Sequence, residues 1–235
     1  MRLPPAVGRF AIQCSSLAAL ATIARMSHLI LLRHGESQLN VLNRQKRVYC
    51  GQYETPLTDL GREQAREAGR QLAAREHLRI QRAVSSCHER SRETLSLALE
   101  QLARPVELLP PVNGLNERSL GRFEGLAEED VFRDHPQYRD HPDFKRFMNC
   151  FVQKAPEGEN LAEVSIRAWR AVENLLASSE GDLLIVSHYN TIRCILGRAL
   201  LLSQEAVLGL RIPNAVPIVL KRGERFELLE GMTIG

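Results

Sequence analysis

The chain has 235 residues, of which 44% are hydrophobic and 25% are charged, as in an ordinary globular protein. This composition excludes a disordered chain, a collagen and a coiled coil, and no apolar run approaches the ~18 residues of a membrane span. The net charge is +3, but residues 1–25 carry three arginines and no acid, which leaves 28 basic and 28 acidic residues in the remainder. We therefore expect neither nucleic acid nor a membrane as a partner.

The cysteines are widely separated, odd in number and without a C-x-x-C pair. This pattern argues against a disulfide framework and against a structural zinc site. A reducing compartment fits it best, and we expect the cytoplasm. The five residues are Cys14, Cys50, Cys87, Cys150 and Cys194.

Residues 1–25 differ from the rest of the chain in composition, with small residues and arginines but no acid. A signal peptide is one interpretation, but Gln13 and Cys14 interrupt its apolar core and no clear cleavage site follows. A transit peptide for organellar import is a second interpretation, since such segments are also poor in acids. We favour a third, a disordered or untranslated extension ahead of a start at Met26, because a predicted strand begins two residues later.

From Met26 onward, apolar runs alternate with helical patterns. In chain order we predict a strand at 28–33, a helix at 59–75 capped by Thr58, a strand at 80–85, a helix at 88–103, a strand at 106–109, helices at 159–178 and 190–202 around a strand at 182–187, and strands at 216–221 and 225–229. Residues 34–57 are expected to be irregular, and residues 110–157 to form a loop and a small helical cap. The alternation favours an α/β fold, a single three-layer domain over residues 26–235 with a mostly parallel sheet and helices on both faces.

Charged, histidine and amide side chains follow the predicted strands. They occur in residues 33–37 after the first strand, 86–90 after the second, 116–118 after the third and 188–190 after the strand at 182–187. Ligands of open α/β sheets bind at the carboxyl ends of the strands. We therefore expect these four segments to converge on one site.

The residue types in these segments suit a phosphoryl group. Arg33 and Arg90 can hold phosphate oxygens, and a histidine among such cations has a lowered pKa and stays neutral and nucleophilic. It can attack phosphorus without a metal, while Glu117 protonates the leaving alkoxide. Gly35 is expected to leave room for close backbone approach. Neutral donors are available from Ser37, Asn40 and Asn190.

Four motifs resemble the histidine phosphatase superfamily, also called the phosphoglycerate mutase-like family. They are L-R-H-G-E-S at 32–37, S-C-H-E-R-S-R-E-T at 86–94, L-N-E-R-S-L-G-R-F-E-G at 115–125 and V-S-H-Y-N-T-I-R at 186–193. The resemblance implies that His34 is the phosphorylated nucleophile, that Arg33, Arg90 and His188 form the phosphate pocket, and that Glu117 donates the proton. We place Ser37, Asn40, Gly51, Arg118 and Asn190 with the phosphate- and substrate-binding residues. The rings of His34 and His188 should then lie within about one phosphate's width of each other.

Two branches of this family remain open. Segments 36–40, 51–58, 115–118 and 212–219 look like cofactor-dependent phosphoglycerate mutases. However, Leu120 and Glu128 stand where the mutase pattern has a tyrosine and a lysine, and only Lys145-Arg146 could replace a paired arginine further along. Cys50 and Tyr189 replace a threonine and a glycine of that pattern. We therefore favour a phosphomonoester phosphatase of the histidine acid type.

The alternatives are a mutase primed by 2,3-bisphosphoglycerate and, more remotely, a binding protein without turnover. The last usually lacks the nucleophile or the acid, both of which this chain keeps at His34 and Glu117. We expect a small phosphorylated metabolite as substrate, no metal, no cofactor unless the protein is a mutase, and a monomer or homodimer.

Overall fold

The computed structural model describes residues 27–139, 150–177 and 181–232. The extension at 1–25 and the pair Lys145-Arg146 lie outside these ranges. Within them, no helix has both the length and the hydrophobicity of a transmembrane span.

One sheet of six strands forms the centre of the described structure, in the order β3-β2-β4-β1-β5-β6. The strands are β1 (Ser27–Arg33), β2 (Ile80–Ser85), β3 (Glu107–Leu108), β4 (Asp182–Ser187), β5 (Ile218–Arg222) and β6 (Phe226–Glu230). The first four are mutually parallel, whereas β5 pairs antiparallel with β1 and β6 antiparallel with β5. The predicted mostly parallel sheet is therefore confirmed.

Seven α-helices occur within the described ranges. They are α1 (Gln38–Lys46), α2 (Asp59–Ala73), α3 (Glu89–Leu99), α4 (Glu128–Asp134), α5 (Leu161–Ala177), α6 (Tyr189–Ala199) and α7 (Gln204–Gly209). The four long helices match predicted ones, and α2, α3 and α6 end earlier at their carboxyl termini than predicted. As predicted, the Thr58 hydroxyl caps α2, accepting a hydrogen bond from the amide of Gly61 at 2.9 Å.

The prediction that residues 34–57 are wholly irregular is wrong, because α1 lies within them. Only Leu39 of this helix is buried, so the apolar periodicity that reveals an amphipathic helix is absent. A capping box starts α1 instead. The Ser37 hydroxyl accepts from the Asn40 amide at 3.3 Å, and the Asn40 side chain accepts from the Ser37 amide at 3.1 Å.

The two faces of the sheet are covered by different helices, which gives the predicted three layers. Along β1, Leu29 and Leu31 belong to the core beneath α5 and α6, whereas Ile30 and Leu32 belong to the core beneath α2 and α3. This alternation follows from the period of two in a strand. Burying each such side chain contributes about 1.5–3 kcal/mol, so the central strands hold their carboxyl ends in fixed positions.

A small cap stands at the carboxyl end of the sheet. Its core contains Leu120, Phe123 and Val131 packed with Tyr49. The amide of Tyr49 donates to the carbonyl of Leu126 at 2.9 Å, and the amide of Gly125 donates back to the carbonyl of Tyr49 at 2.8 Å. The cap therefore fixes the segment around Tyr49, which leads into the candidate site.

Candidate active site

The carboxyl ends of the strands surround a pocket of about 240 Å³. It is lined by Arg33, His34, Ser37, Asn40, Asn43, Val48, Cys50, Gly51, Thr55, Arg90, Glu117, Arg118, Leu120, Tyr189 and Asn190. All of the predicted site residues except His188 are in this lining. The segments after β1, β2, β3 and β4 thus converge on one site, as the open-sheet rule predicts.

His34 is held in a defined orientation directly after β1. Its backbone amide donates to the carbonyl of Ser187 at 3.0 Å, and the side-chain amide of Asn214 donates to its carbonyl at 2.8 Å. The ring nitrogen Nδ1 lies 2.7 Å from the carbonyl oxygen of Gly35. Since a carbonyl only accepts, Nδ1 carries the proton and the lone pair is on Nε2. A neutral His34 is therefore prepared to act as a nucleophile through Nε2.

His188 is fully buried beside His34, with the two ring centroids 5.1 Å apart. This separation matches the expectation that one phosphate could reach both rings. The hydroxyls of Ser86 and Ser91 lie 2.7 and 3.2 Å from its Nε2. Its Nδ1 is buried without a partner in the described part of the chain. When the serines donate to Nε2, the proton is on Nδ1, which can then donate to an anion.

Both of these histidines are neutral at pH 7. The pKa values of His34 and His188 are well below the ordinary range, first because burial disfavours the charged ring and next because Arg90 repels its charge. The sequence predicted that neighbouring cations lower the pKa of a histidine here. In the structure, burial lowers these pKa values more than the cations do.

Arg33 and Arg90 place two guanidinium groups in the pocket wall. One Nη of Arg33 donates to the carbonyl of Ile212 at 2.8 Å, and Arg90 donates to the carbonyls of Tyr53 at 2.9 Å and Gly51 at 3.1 Å. Burial lowers the pKa of both side chains, but a guanidinium stays charged in proteins. Because these hydrogen bonds go to neutral carbonyls, both positive charges remain available to an anion.

The carboxyl group of Glu117 is fixed at the pocket by two backbone amides. Oε1 accepts from Arg118 at 2.8 Å, and Oε2 accepts from Asn190 at 3.3 Å. The Glu117 carbonyl also accepts from the side chains of Gln52 at 2.8 Å and Arg167 at 3.0 Å. A half-buried carboxyl group in this position can exchange a proton with a group bound in the pocket.

The remaining predicted residues complete the pocket wall. Ser37 and Asn40 form the cap of α1 and line the pocket at the same time. The Oδ1 atom of Asn190 lies 3.4 Å from a guanidinium nitrogen of Arg193, which leaves the Asn190 amide hydrogens for a ligand. Arg118 is only 1% exposed and also belongs to the pocket lining. Gly51 has a φ of +46°, in the left-handed region that favours glycine.

The expected role of Gly35 was different from the one observed. It is absent from the pocket lining, and a side chain on Gly35 would overlap the backbone carbonyl of Gly61 in α2. The close approach that requires glycine is therefore between two segments of this chain and not between the loop and a ligand.

Several residues at the site were not predicted from the sequence motifs. The pocket is also lined by Leu120, Cys50 and Tyr189. From the sequence, these three residues were notable only as departures from the mutase pattern. His88 was also given no role, yet its ring centroid lies 5.0 Å from that of His188, and its Nδ1 lies 2.8 Å from a Glu54 carboxylate oxygen. Its position within the second motif could have indicated that His88 lies at the site.

Glu128, which replaces the mutase lysine, does not line the pocket. Its carboxylate accepts from the Tyr49 hydroxyl at 3.2 Å and from the Arg47 guanidinium at 3.4 Å. Leu120, in contrast, is 4% exposed and contributes to the pocket wall. Of these two departures from the mutase pattern, only Leu120 changes the chemistry of the pocket.

A larger pocket of about 380 Å³ lies between α5, α6 and α7, lined by none of the predicted site residues. Its lining mixes aliphatic and polar residues, with Cys194 in the wall, and burial raises the pKa of that thiol to about 12. The smaller pocket is the candidate active site because the nucleophile, the cations and the carboxyl group meet there. In the described ranges, no group of three or more His, Cys, Asp or Glu side chains could hold a metal ion.

Comparison with a family model decides the relationship of this chain to known proteins. The model of the histidine phosphatase superfamily (branch 1) matches residues 29–233. The chain belongs to the histidine phosphatase superfamily. Among curated members it is 30% identical over 195 residues to a 2,3-bisphosphoglycerate-dependent phosphoglycerate mutase of Bartonella bacilliformis, covering 81% of this chain and 90% of the relative. A protein of the same name from Parvibaculum lavamentivorans is 32% identical, covering 81% and 88%.

Solved structures of this superfamily share the fold. The α-ribazole phosphatase of Shigella flexneri has a TM-score of 0.69 and 26% identity, covering 88% of this chain and 98% of its own. A mycobacterial glucosyl-3-phosphoglycerate phosphatase has a TM-score of 0.69 and 25% identity, covering 86% and 97%. The sequence relatives are thus named as mutases and these structural neighbours as phosphatases, so this member of the histidine phosphatase superfamily is related to both kinds of enzyme.

Proposed function

We propose that the protein is a metal-independent phosphomonoesterase that acts through a phosphohistidine at His34. The observation that carries this proposal is the unprotonated Nε2 of His34 in a pocket shared with two guanidiniums and the carboxyl group of Glu117. Fixed cations are the main source of stabilisation for the charge on a transferring phosphoryl group. No metal is needed when the protein supplies them.

In the first step, Nε2 of His34 forms a bond to phosphorus as the bond between phosphorus and the ester oxygen breaks. Protonated Glu117 gives its proton to that oxygen, so the alcohol leaves uncharged. Arg33, Arg90 and the Nδ1–H of His188 hold the non-bridging oxygens, while Asn190, Ser37 and Asn40 donate further hydrogen bonds. These roles fit the donors and charges that line the pocket, together with Nδ1 of His188, which lies outside that lining and has no partner in the described part of the chain.

In the second step, water attacks the phosphohistidine. The Glu117 carboxylate accepts a proton from that water, and the bond between phosphorus and Nε2 breaks to release phosphate and restore neutral His34. The low pKa of His34 supports this step, because a ring that resists protonation is a neutral nucleophile again as soon as phosphate leaves.

Hydrolysis is favoured over mutase activity by the pocket wall away from Arg33 and Arg90. A mutase must hold a bisphosphorylated intermediate while it turns round, which requires cations facing the far end of the substrate. Much of this wall is uncharged, formed by Ser37, Asn40, Asn43, Val48, Cys50, Thr55 and Leu120. More specifically, we propose a histidine acid-type phosphatase that acts on a small phosphorylated metabolite.

A 2,3-bisphosphoglycerate-dependent mutase is the second candidate, favoured by the names of relatives that are about 30% identical and by Arg118 in the pocket. In that case 2,3-bisphosphoglycerate would prime the enzyme, whereas the phosphatase needs no cofactor. A binding protein without turnover is disfavoured, because His34 and Glu117 are both present and both reach the pocket. We propose a cytoplasmic monomer or homodimer without a nucleic-acid or membrane partner.

One preparation, assayed for both activities, tests this proposal. We expect release of p-nitrophenol from p-nitrophenyl phosphate, and little conversion of 3- to 2-phosphoglycerate with or without 2,3-bisphosphoglycerate. Isomerisation at tens per second that depends on 2,3-bisphosphoglycerate and far exceeds phosphate release would establish the mutase instead.

A further inference from the structure

The ring of Tyr189 lies close to two guanidinium groups. The central guanidinium carbons of Arg33 and Arg193 are each 5.1 Å from the ring centroid. The Tyr189 hydroxyl donates to the carbonyl of Leu210 at 3.1 Å, which anchors the far end of the side chain. Each guanidinium is within the distance at which an aromatic ring attracts a cation.

Arg33 and Tyr189 are anchored to the same short segment. Arg33 donates to the carbonyl of Ile212, two residues after the carbonyl that accepts from Tyr189. Leu210 and Ile212 are themselves 4% and 2% exposed and pack into the core beneath α5 and α6. The segment is therefore a rigid support for both side chains.

The second cation, Arg193, is nearly inaccessible and is tied to α7. Its Nε donates to the carbonyl of Val207 at 2.9 Å, and one Nη lies 3.4 Å from Oδ1 of Asn190. The same guanidinium thus supports the ring of Tyr189 and orients the pocket amide of Asn190.

We propose that Tyr189 is a positioning residue whose ring holds the Arg33 guanidinium where a bound phosphate needs it. This inference rests on the proposed function only in taking phosphate as the anion of the pocket. In the described part of the chain, the Arg33 side chain makes a single hydrogen bond, to a neutral carbonyl, and its Nε is buried without a partner. The face of the Tyr189 ring accordingly gives the Arg33 guanidinium a second contact, in addition to its hydrogen bond to Ile212.

Inorganic phosphate, measured as a competitive inhibitor of p-nitrophenyl phosphate hydrolysis, provides the test. Tyr189→Leu removes the ring and should weaken phosphate binding about 10-fold, equivalent to about 1.4 kcal/mol. Tyr189→Phe keeps the ring and should restore most of that affinity, although it lacks the hydroxyl. Trp169→Leu is the control, since Trp169 is a partly buried ring of the same core that contacts Phe226 away from the pocket.

A double-mutant cycle with Arg33→Lys separates positioning from general loss of packing. Lysine cannot stack as a guanidinium does, so Arg33→Lys should cost much less affinity in the Tyr189→Leu background than in the wild type. If thermal unfolding shows that Tyr189→Leu is unfolded, Tyr189→Met, which fills more of the volume of the ring, takes its place.

Three results would overturn the inference. The first is that Tyr189→Leu binds phosphate as tightly as the wild type. The second is that Tyr189→Phe loses as much phosphate affinity as Tyr189→Leu. The third is that the affinity losses of Tyr189→Leu and Arg33→Lys simply add in the double variant. A wild-type protein that neither binds phosphate nor hydrolyses the ester would instead refute the proposed function, and this inference with it.

Discussion

Gly35 and Gly61 pack backbone against backbone, where the loop after β1 crosses the first turn of α2. A Cβ atom on Gly35 would overlap the carbonyl of Gly61, and one on Gly61 would overlap the carbonyl of Glu36. Because the Gly35 carbonyl also accepts the proton of His34 Nδ1, this contact links the packing of α2 to the orientation of the proposed nucleophile.

Gly35→Ala should therefore reduce both stability and activity. The added methyl group meets backbone atoms that cannot move independently, and such overpacking costs about 1–3 kcal/mol. Chemical denaturation and p-nitrophenyl phosphate hydrolysis measure the two effects. Gly209→Ala is the matched control, since nothing lies within 4 Å of a Cβ there. Equal stability of the Gly35 and Gly209 variants would contradict the close packing.

His34→Ala should abolish phosphoryl transfer, with a loss of about 10⁴-fold or more in kcat, as is typical when a covalent nucleophile is removed. Rapid quenching of the wild type with labelled substrate should trap an acid-labile phosphohistidine that is missing in the variant. His77→Ala, at an exposed histidine outside the pocket lining, serves as the control. Substantial residual activity in His34→Ala would rule out the covalent mechanism.

Activity should persist in EDTA and should not rise when magnesium or zinc is added. The reason is electrostatic, because Arg33 and Arg90 already neutralise the phosphate and would repel a divalent cation placed between them. A metal-dependent alkaline phosphatase treated in parallel verifies that the chelator is effective. Inactivation by EDTA that magnesium or zinc reverses would contradict a metal-independent reaction.

The free energy of unfolding should fall as the pH drops below about 6.5, the ordinary pKa of histidine. The pKa values of His34 and His188 are lowered in the folded protein, so the unfolded chain binds their protons first. Stability is then greatest above pH 7, and each histidine should cost about 1 kcal/mol between pH 7 and pH 5.5.

Urea denaturation at pH 7.5 and 5.5 measures this dependence. His34→Asn and His188→Asn should each remove part of it, and the double variant should remove both contributions. A double variant with the pH dependence of the wild type would show that other groups cause the loss.

Substitutions at positions 120 and 128 should have unequal effects on the mutase to phosphatase ratio. Leu120→Tyr puts a hydroxyl group in the pocket wall and should lower the KM for 3-phosphoglycerate. Glu128→Lys acts outside the pocket lining, where it breaks the contacts with Tyr49 and Arg47. It should cost about 1 kcal/mol of stability or less and leave the ratio unchanged. A ratio that responds mainly to Glu128→Lys would place that side chain at the substrate.

Local pattern was sufficient to predict the sheet, the four long helices and the convergence of the four motifs on one edge of the sheet. Buried strands appear as apolar runs, and the residue after a strand lies at its carboxyl end whatever the rest of the chain does. For this reason Arg33, His34 and His188 could be placed together from the sequence. Helix α1 was not predicted because Leu39 is its only buried residue, so its sequence has no apolar periodicity.

Tertiary packing decided which distant side chains meet. Gly35 packs against Gly61, a partner that no local pattern identifies. Glu128 turns to Tyr49, although its spacing from Glu117 suggested a position at the substrate. Tyr189 follows His188 in sequence, but its contacts with both Arg33 and Arg193 depend on where α7 and the segment after it pack. Spacing determines local conformation and strand ends, whereas burial and partners depend on the packing of segments far apart in the chain, so only the folded structure could show them.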